Sequence, residues 1–430
     1  NLDKSILEGS LFEITRRHKS LHTIFKEIDG KPHQLVRDDL DFPFTVVDLS
    51  QFDPDEAEKT ALILAHKEAK KPFDLSKDSL IRCVLYQIAP KDHILLLVLH
   101  HIITDGWSMS ILVKELTALY TAHVNGQSAN LPKLPVQYID YAVWQRNYLQ
   151  GEHLETQLSY WKRQLADLPP VLEIPTDRPR PVVQTYHGAH EIFEIDKDIT
   201  QKLVQFCQQE GVTLYMLLLT IYQVLLYRYT GQEDIAVGTA IANRENSEIE
   251  NLIGFFINTL VIRTNLSAEP TFRELVKRVR EVCLAAYAHQ DLPFEMLVET
   301  LQPERNLGHS PLFQVAFDMQ TPPSTQPTLP ELELQPVIVD TGMTPYDLLL
   351  SISHIDHRLM GTLQYSRDLF NPDTIQRFLV HFKELIISAM QSPAQLISHL
   401  SMLTINERQQ ILVEWNRTEH PYPDHSCIHQ

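Results

Sequence analysis

The stretch HILLLVLHHIITDGWS, residues 93–108, decides the local fold and points to a site. Residues 93–100 form an apolar run whose length and lack of strict alternation predict a strand buried on both faces. Residues 107–124 repeat apolar side chains at helical spacing, which predicts a helix. The strand therefore runs into two adjacent histidines, His100 and His101, and a short turn before the helix begins.

The two histidines are candidates for acid–base chemistry. Neighbouring side chains on a strand point to opposite faces, so only one of His100 and His101 can face a given cavity. An imidazole with an unperturbed pKa of about 6.5 is suited to take a proton from an attacking amine. Asp105 either orients that histidine or locks the loop through an arginine. Gly106 either permits a positive φ or lets a substrate approach the backbone closely.

Strands and helices interleave on both sides of a proline-rich break. Residues 53–70 predict a helix with Asp53 as N-cap, and residues 81–88 predict a second buried strand. Residues 168–183 contain five prolines, which forbid helix continuation, and strand-like and helical segments then alternate again. The pattern predicts an α/β or α+β fold in layers. The predicted units are an N-terminal lobe (1–175), a C-terminal lobe (176–412) and a polar linker (413–430).

Size and charge narrow the possible function classes. The 430 residues, 43% of them hydrophobic, exceed one comfortable core of roughly 100 to 200 residues, so two lobes are expected. The formal net charge of −18 argues against nucleic acid and anionic membranes as partners, because binding them requires a basic face. No apolar stretch reaches the roughly 18 residues that a membrane span needs.

The cysteines and the missing nucleotide motifs bear on cofactors. Cys83, Cys207 and Cys283 lie in apolar segments, and together with Cys427 they show no metal-type spacing. The first three are predicted to be buried free thiols, as suits a reducing cytoplasm. Neither GxxxxGK[ST] nor GxGxxG occurs in the chain. The sequence therefore predicts neither a metal site nor a bound nucleotide.

Several segments carry a family resemblance. HHIITDGWS (100–108) resembles the HHxxxDG core of the condensation domains of non-ribosomal peptide synthetases, which are related to chloramphenicol acetyltransferase. Five further segments resemble other motifs of that family in the same order, and residues 415–430 are similar to the linker that leads into an adenylation domain. The five are RHKSLHTIF (17–25), YIDYAVW (138–144), IGFFINTLVIR (253–263), HQDLPFE (289–295) and RNLGHSPLFQ (305–314).

The resemblance implies both architecture and activity. It implies two chloramphenicol-acetyltransferase-like lobes arranged as a V-shaped pseudo-dimer, with a tunnel entered from opposite faces by two carrier arms. The implied reaction forms a peptide bond between a donor acyl or peptidyl thioester and an acceptor aminoacyl thioester. Both substrates are carried on the phosphopantetheine of upstream and downstream peptidyl carrier domains, and the domain itself binds no cofactor. The implied neighbour is an adenylation domain of the same chain. The family's first motif should precede Arg17, so the first segment is expected to be missing.

The resemblance also assigns roles around the double histidine. His101 becomes the central residue, either as general base or as a hydrogen-bonding positioner of the amine and the tetrahedral intermediate. His100 and Asp105 are expected to be structural, with Arg263 as the salt-bridge partner of Asp105. The backbone N–H of Gly106 is expected to lie close to the reacting carbonyl.

More distant motif residues receive weaker assignments. Asn258 is expected to line the tunnel, and Arg17 to hydrogen-bond near the active histidine. Tyr138, Asp140 and Trp144 are expected to pack a helix.

Other functions compete with this interpretation. An epimerisation domain would use the same histidine with a carboxylate to move a proton, and a free acyltransferase would use coenzyme A. A degenerate domain would dock carrier proteins without chemistry. The intact HH and DG pairs and the tail that resembles an adenylation linker favour condensation, and the Asp-Gly-Trp-Ser stretch resembles the subtype that accepts an L-configured donor.

Overall fold

A computed structural model describes residues 2–39, 42–303, 306–320, 329, 332–337 and 342–419. The helices are α1 (Lys4–Arg17), α2 (Pro54–Ala69), α3 (Gly106–Val124), α4 (Tyr138–Tyr148), α5 (Gly151–Gln164), α6 (Lys197–Glu210), α7 (Leu214–Thr230), α8 (Phe272–Tyr287), α9 (Phe294–Leu301), α10 (Pro372–Gln391) and α11 (Ile405–Gln409). The strands are β1 (Thr23–Ile28), β2 (Lys31–Val36), β3 (Phe44–Asp48), β4 (Ile81–Ala89), β5 (Asp92–Leu99), β6 (Gly188–Ile195), β7 (Asp234–Ile241), β8 (Asn258–Asn265), β9 (Val315–Gln320), β10 (Leu348–Ile355) and β11 (Arg358–Ser366).

The first core is built on a small mixed sheet in the order β3-β4-β5. Strand β3 runs parallel to β4, and β4 runs antiparallel to β5. The predicted helix at 53–70 is confirmed as α2, whose N-cap Asp53 accepts a hydrogen bond from the N–H of Asp55 at 3.1 Å. Helices α1 and α3 pack against each other and share apolar side chains with the sheet, among them Leu7, Leu11, Leu85, Ile103, Leu112 and Leu119.

The second core is larger and surrounds a six-stranded sheet in the order β6-β11-β10-β9-β7-β8. Its central helix is α7, in which every residue from Met216 to Leu226 is buried. An unbroken buried run of this kind is expected of a helix surrounded by protein on all sides. Strands β1 and β2 form a third, two-stranded sheet, and the three sheets with their helices confirm the predicted mixture of helices and strands.

Strand β5 differs from its prediction in one respect. Leu96 is its one buried residue and the other apolar side chains of the strand are half-buried; both faces pack against apolar clusters, but burial is less complete than predicted. The reason is its place at the end of the three-stranded sheet, where one flank lacks a neighbouring strand among the described residues.

The packing of α5 bears on the lobe boundary. Tyr160 and Trp161 of α5, and Leu172 beyond it, already belong to the larger core, although they precede the expected boundary at 175/176. The division of the chain into lobes therefore stays a prediction. Of the linker expected at 413–430, residues 420–430 lie outside the described residues.

The connection between β7 and β8, residues 242–257, links the two cores. Ile253 belongs to the first core, whereas the flanking strands belong to the larger sheet. Tyr141 of α4 packs with Ile249, Leu252 and Phe256 in a small cluster of their own. The connection therefore reaches from the second core to the helix that follows the double histidine.

Two further predictions concern the described residues only. Cys83, Cys207 and Cys283 are buried free thiols as predicted, while Cys427 lies outside the described part. Burial raises the pKa of Cys83 and of Cys283 to about 12, and that of Cys207 to about 11. Within the described ranges no single helix is both long and apolar enough to cross a membrane; α6 and α7 reach that threshold only as a pair bent by 106°.

Candidate active site

His100 and His101 lie where the end of β5 leads into α3. His100 is extended, its Nδ1 accepts the N–H of Ile102 at 3.1 Å, and its ring stands edge-on to Phe73 at 5.9 Å. His101 begins a single 3₁₀ turn and stands edge-on to Phe255 at 5.2 Å. The two imidazoles therefore have different surroundings, as predicted, although neither histidine lies within the strand itself.

His100 serves the local structure. Its Nδ1 acts as an acceptor and so carries no proton in this hydrogen bond. Burial, followed by the charge of neighbouring His101, lowers the pKa of His100. A neutral ring that caps the backbone fits the structural role that was expected of it.

His101 is exposed and has a defined tautomer. Its Nδ1 lies 2.7 Å from the carbonyl oxygen of Thr104. Because a carbonyl oxygen can only accept, Nδ1 must carry the proton. In the neutral ring Nε2 then holds a lone pair, available as an acceptor for an N–H or O–H donor.

Asp105 is the N-cap of α3 and is almost fully buried. Its carboxylate accepts the N–H of Ser108 at 2.8 Å, the Ser108 hydroxyl at 2.7 Å and the N–H of Phe256 at 3.0 Å. The side chain is 2% exposed, and the Arg244 side chain that faces it is 1% exposed. A carboxylate satisfied by so many donors holds the turn in place and has little capacity left for proton transfer.

Arg244, and not Arg263, forms the ion pair with Asp105. Arg244 Nη2 lies 3.2 Å from Asp105 Oδ1, whereas Arg263 binds Asp234 at 2.7 Å together with the carbonyl oxygens of Gln164 and Ala166. The predicted pair of Asp105 with Arg263 is therefore wrong.

Strand register explains the error. In the antiparallel pair of β7 and β8, Ile241 is opposite Asn258 at the end from which the connection leaves, while Arg263 is opposite Ala236. Arg263 is thus five residues from that end, roughly 17 Å along the strand. Arg244 lies three residues beyond the end of β7, within the connection at residues 242–257.

Arg244 is held by more than its counter-ion. It donates to the carbonyl oxygens of Ile249 and Leu252 at 2.9 and 2.7 Å, and its guanidinium lies 4.0 Å from the centre of the Phe256 ring. Burial lowers the pKa of Arg244, and the charge of Asp105 opposes that shift. The arginine fixes the shape of the connection while it neutralises Asp105.

Arg17 does not bond to the active histidine. Its Nε donates to Glu115 on α3 at 3.0 Å, and its Nη2 donates to the carbonyl oxygen of Pro132. Burial tends to raise the pKa of Glu115, but the hydrogen bond from His18 and the charge and hydrogen bond of Arg17 outweigh it, so the net pKa is lowered. The side-chain hydrogen bonds of Arg17 go to Glu115 and Pro132 rather than to His101, and a position near the histidine stays a prediction.

Asn258 is fully engaged in hydrogen bonds. Its Nδ2 donates to the carbonyl oxygens of Gln290 and Leu292, both at 2.8 Å, and its Oδ1 accepts the N–H groups of Thr259 and Phe294. The amide therefore fixes the residues before α9 against the start of β8. A tunnel-lining role for Asn258 stays a prediction.

Gly106 is the first residue of α3 and is exposed. Its φ is not positive, so of the two alternatives given for this glycine the left-handed conformation is excluded. A Cβ built at this position would meet nothing within 4 Å. Neither backbone conformation nor packing requires glycine here, and a role for Gly106 in the approach of a substrate stays a prediction.

Tyr138 has a larger role than helix packing alone. Its hydroxyl donates to the carbonyl oxygen of Phe255 at 2.8 Å, and its ring stands edge-on to Phe256 at 5.1 Å. Asp140 caps α4 by accepting the N–H of Gln137, and Trp144 stacks on Tyr148, as expected of packing residues. Helical periodicity alone could not show that Tyr138 reaches the partner of His101.

The comparisons with known proteins place the chain in a family. A family model described as the condensation domain matches residues 1–412. One of the linear gramicidin synthase proteins of Brevibacillus parabrevis is 46% identical over 100% of this chain, which spans only 8% of the length of that relative. Chondramide synthase from Chondromyces crocatus is 38% identical over 100% of this chain, which spans 11% of its length.

Solved structures agree on the fold. The X-domain from teicoplanin biosynthesis has a TM-score of 0.84 and 27% identity, with 94% of this chain and 91% of that chain covered. Together with the family match, the predicted relation to chloramphenicol-acetyltransferase-like lobes is confirmed. The chain therefore belongs to the condensation domain family, the amide-forming acyltransferases of non-ribosomal peptide synthetases.

Proposed function

We propose that the chain forms a peptide bond between two thioester-borne acyl groups at His101. The amine of the acceptor attacks the donor carbonyl, the C–N bond forms, and the C–S bond breaks. The proton leaves the nitrogen, and the departing thiolate takes up a proton. The observation that carries the proposal is an exposed imidazole whose Nδ1 is held by Thr104, so that the lone pair of Nε2 can receive the N–H of the amine.

In this reaction His101 both positions the attacking amine and accepts its proton. A thioester is already activated and an unprotonated amine is a good nucleophile, so orientation supplies much of the rate. As the attacking nitrogen loses its proton, Nε2 can take it up and return it to the leaving sulfur. Gly106 keeps space open beside His101 for the carbonyl, and its backbone N–H, at the N-terminus of α3, is suited to the developing oxyanion.

The substrates arrive on carriers rather than free in solution. The proposed partners are an upstream donor and a downstream acceptor peptidyl carrier domain, whose phosphopantetheine arms enter a tunnel between the lobes, and an adjacent adenylation domain of the same polypeptide. The small share of each relative that the chain spans supports a place within a larger synthetase. A cytoplasmic setting and an L-configured donor complete the proposal.

Condensation is favoured over epimerisation by the state of Asp105. An epimerase requires a second acid–base group to act with the histidine on the α-proton. The carboxylate nearest along the chain, Asp105, is buried and bonded to Arg244, Ser108 and Phe256, which fits a structural role in the turn rather than that of a second acid–base group. The polar contact of His101 in the described part of the chain is a carbonyl oxygen and not a carboxylate.

A competition between two products tests the proposed function. The protein is mixed with a donor aminoacyl carrier and an acceptor aminoacyl carrier in deuterated water, and the carriers are analysed by intact mass. Dipeptidyl acceptor carrier without deuterium at the donor α-carbon is expected. Deuterium uptake without dipeptide would instead establish epimerisation. Carrier binding with neither product, over a panel of L- and D-donors, would leave only a docking module.

A further inference from the structure

The backbone at residues 253–256 is held almost entirely by side chains from the first core and α4. We call residues 253–256 the clamped segment. Five of its backbone groups are bonded in this way. They are Ile253 N–H to His18 Nδ1 (3.2 Å), Ile253 O to Ser20 Oγ (2.6 Å), Gly254 N–H to Ser108 Oγ (3.1 Å), Phe255 O to the Tyr138 hydroxyl (2.8 Å) and Phe256 N–H to Asp105 (3.0 Å).

The segment matters because of what it carries. Phe255 provides the ring against which His101 stands edge-on, at 5.2 Å between ring centres and 87° between ring planes. The aromatic contact and the hydrogen bond to Thr104 together define the orientation of the His101 imidazole. Displacement of Phe255 would free one of these two restraints.

Tyr138 holds the segment from the side of α4. Its ring packs so closely on Gly254 that a Cβ there would lie 2.3 Å from Tyr138 Cδ2. Burial raises the pKa of Tyr138, so the hydroxyl remains a donor to Phe255 O. Ring and hydroxyl therefore grip consecutive residues of the segment.

His18 holds the segment from the side of α1. The ring is buried, its Nδ1 accepts the N–H of Ile253, and Nε2 must then carry the proton that is donated to Glu115 at 3.0 Å. Arg17 binds the other oxygen of Glu115. This chain of contacts ties the clamped segment to α3, the helix that begins beside His101.

We propose, on the basis of the condensation activity assigned above, that Tyr138 and His18 are positioning residues for His101. They act through the clamped segment, by fixing the Phe255 ring on which the imidazole rests. A small displacement of a reacting group lowers the rate of the chemical step much more than it weakens the binding of the carriers. We therefore expect the effect of these two residues in the rate of that step.

The test compares two tyrosine hydroxyls in the full protein. Tyr138→Phe removes the bond to Phe255 O and keeps the ring, while the control Tyr120→Phe removes a buried hydroxyl that accepts the N–H of Asp3 at 2.9 Å. Single-turnover dipeptide formation is followed over a range of carrier concentrations. Tyr138→Phe is expected to lower the limiting rate roughly tenfold with an unchanged half-saturating concentration, and Tyr120→Phe to change neither.

A conservative pair tests His18. His18→Phe removes both hydrogen bonds, whereas His18→Asn keeps an acceptor near the position of Nδ1. We expect a partial recovery of the limiting rate in His18→Asn relative to His18→Phe. The limiting rate of the double variant Tyr138→Phe/His18→Asn should fall by less than the product of the fold-losses in the two single variants, because both residues act on one segment.

Amide hydrogen exchange at residues 253–256 separates this inference from the proposed function. Exchange is expected to speed up in Tyr138→Phe and to stay unchanged in Tyr120→Phe, whatever the activity. Unchanged exchange, or an unchanged limiting rate in Tyr138→Phe, would overturn the positioning role. If wild type forms no dipeptide while exchange responds as expected, Tyr138 does restrain the clamped segment, but the assignment of condensation activity is wrong.

Discussion

At the scale of single residues, the site depends on one buried ion pair. Asp105 and Arg244 come from different parts of the chain, and each also satisfies neighbouring backbone or hydroxyl groups. Removal of one member of such a pair leaves an uncompensated buried charge. The pair is therefore a structural requirement for the turn that presents His101.

A double-mutant cycle should show that Asp105 is coupled to Arg244. Asp105→Asn keeps an N-cap and removes the charge, and Arg244→Met should cost about 3 kcal/mol of unfolding free energy. In urea unfolding we expect a coupling energy above about 1 kcal/mol between Asp105→Asn and Arg244→Met. The matched cycle with Arg263→Met should give less than about 0.5 kcal/mol. Equal coupling in the two cycles would refute the assigned pair.

Gly106→Ala should separate stability from activity. The added methyl group meets open space and φ is not positive, so the free energy of unfolding should stay the same or rise by up to about 1 kcal/mol. The same methyl group enters the space proposed for the donor carbonyl, and we expect a roughly tenfold lower single-turnover rate. Urea unfolding and dipeptide formation measure the two effects. Full activity would show that the carbonyl does not approach Gly106.

Sequence reasoning identified the histidines because their chemistry is local, and it failed where the partner is distant. The string from His100 to Gly106 combines two histidines at the end of an apolar run with an Asp-Gly pair before a helix, and this pattern is visible without any tertiary contact. The choice between Arg244 and Arg263 depends on the register of β7 against β8, which is set by tertiary packing. The same holds for Arg17, whose partner Glu115 is 98 residues away in sequence.

At the scale of elements, the connection between β7 and β8 is shaped by close packing against α4. Gly254 is required there because the Tyr138 ring occupies the place of a Cβ. The sequence analysis expected alternating strand-like and helical segments beyond the proline-rich break and a helix at Tyr138, but a loop without periodicity gave no sign that it crosses to the first core. Each of its contacts depends on an individual side chain at an unrelated position in the sequence, so no periodic pattern predicts them.

Gly254→Ala tests that packing. The Cβ would lie 2.3 Å from Tyr138 Cδ2 and 2.9 Å from Phe256 Cε2, so overpacking should destabilise the protein by about 1 to 3 kcal/mol. Thermal or urea unfolding measures the loss, and Gly106→Ala serves as the control. In a Tyr138→Ala background the added cost should shrink. An equal cost in both backgrounds would mean that the Tyr138 ring is not the obstacle.

At the scale of the whole molecule, the two largest apolar clusters among the described residues differ in size and are joined by the clamped segment. Cys83 belongs to the smaller core, and Cys207 and Cys283 belong to the larger one. The burial that raises the pKa of each thiol keeps it protonated and inaccessible at neutral pH. The three cysteines therefore report on the two cores separately.

Thiol labelling with iodoacetamide at pH 8 and increasing urea follows each core. In a Cys427→Ser background we expect no labelling of the native protein. Cys83 should then react at lower urea than Cys283, since the smaller core buries less apolar surface. Simultaneous labelling of Cys83 and Cys283 would show that the cores unfold as one unit.

The same thiols fix the sign of one contribution to the pH dependence of stability. The folded-state pKa values are raised, so the thiols favour folding below the unfolded pKa, and this contribution is lost as pH rises towards about 12.

The central claim is that this molecule forms a peptide bond at His101. The most direct measurement is the single-turnover rate of dipeptidyl carrier formation by wild type, His101→Ala and the neighbouring control His100→Asn, with carrier binding measured in parallel. We predict a loss of at least about a hundredfold in His101→Ala with unchanged carrier binding, and a much smaller loss in His100→Asn. A His101→Ala variant that still forms dipeptide at the wild-type rate would contradict the claim.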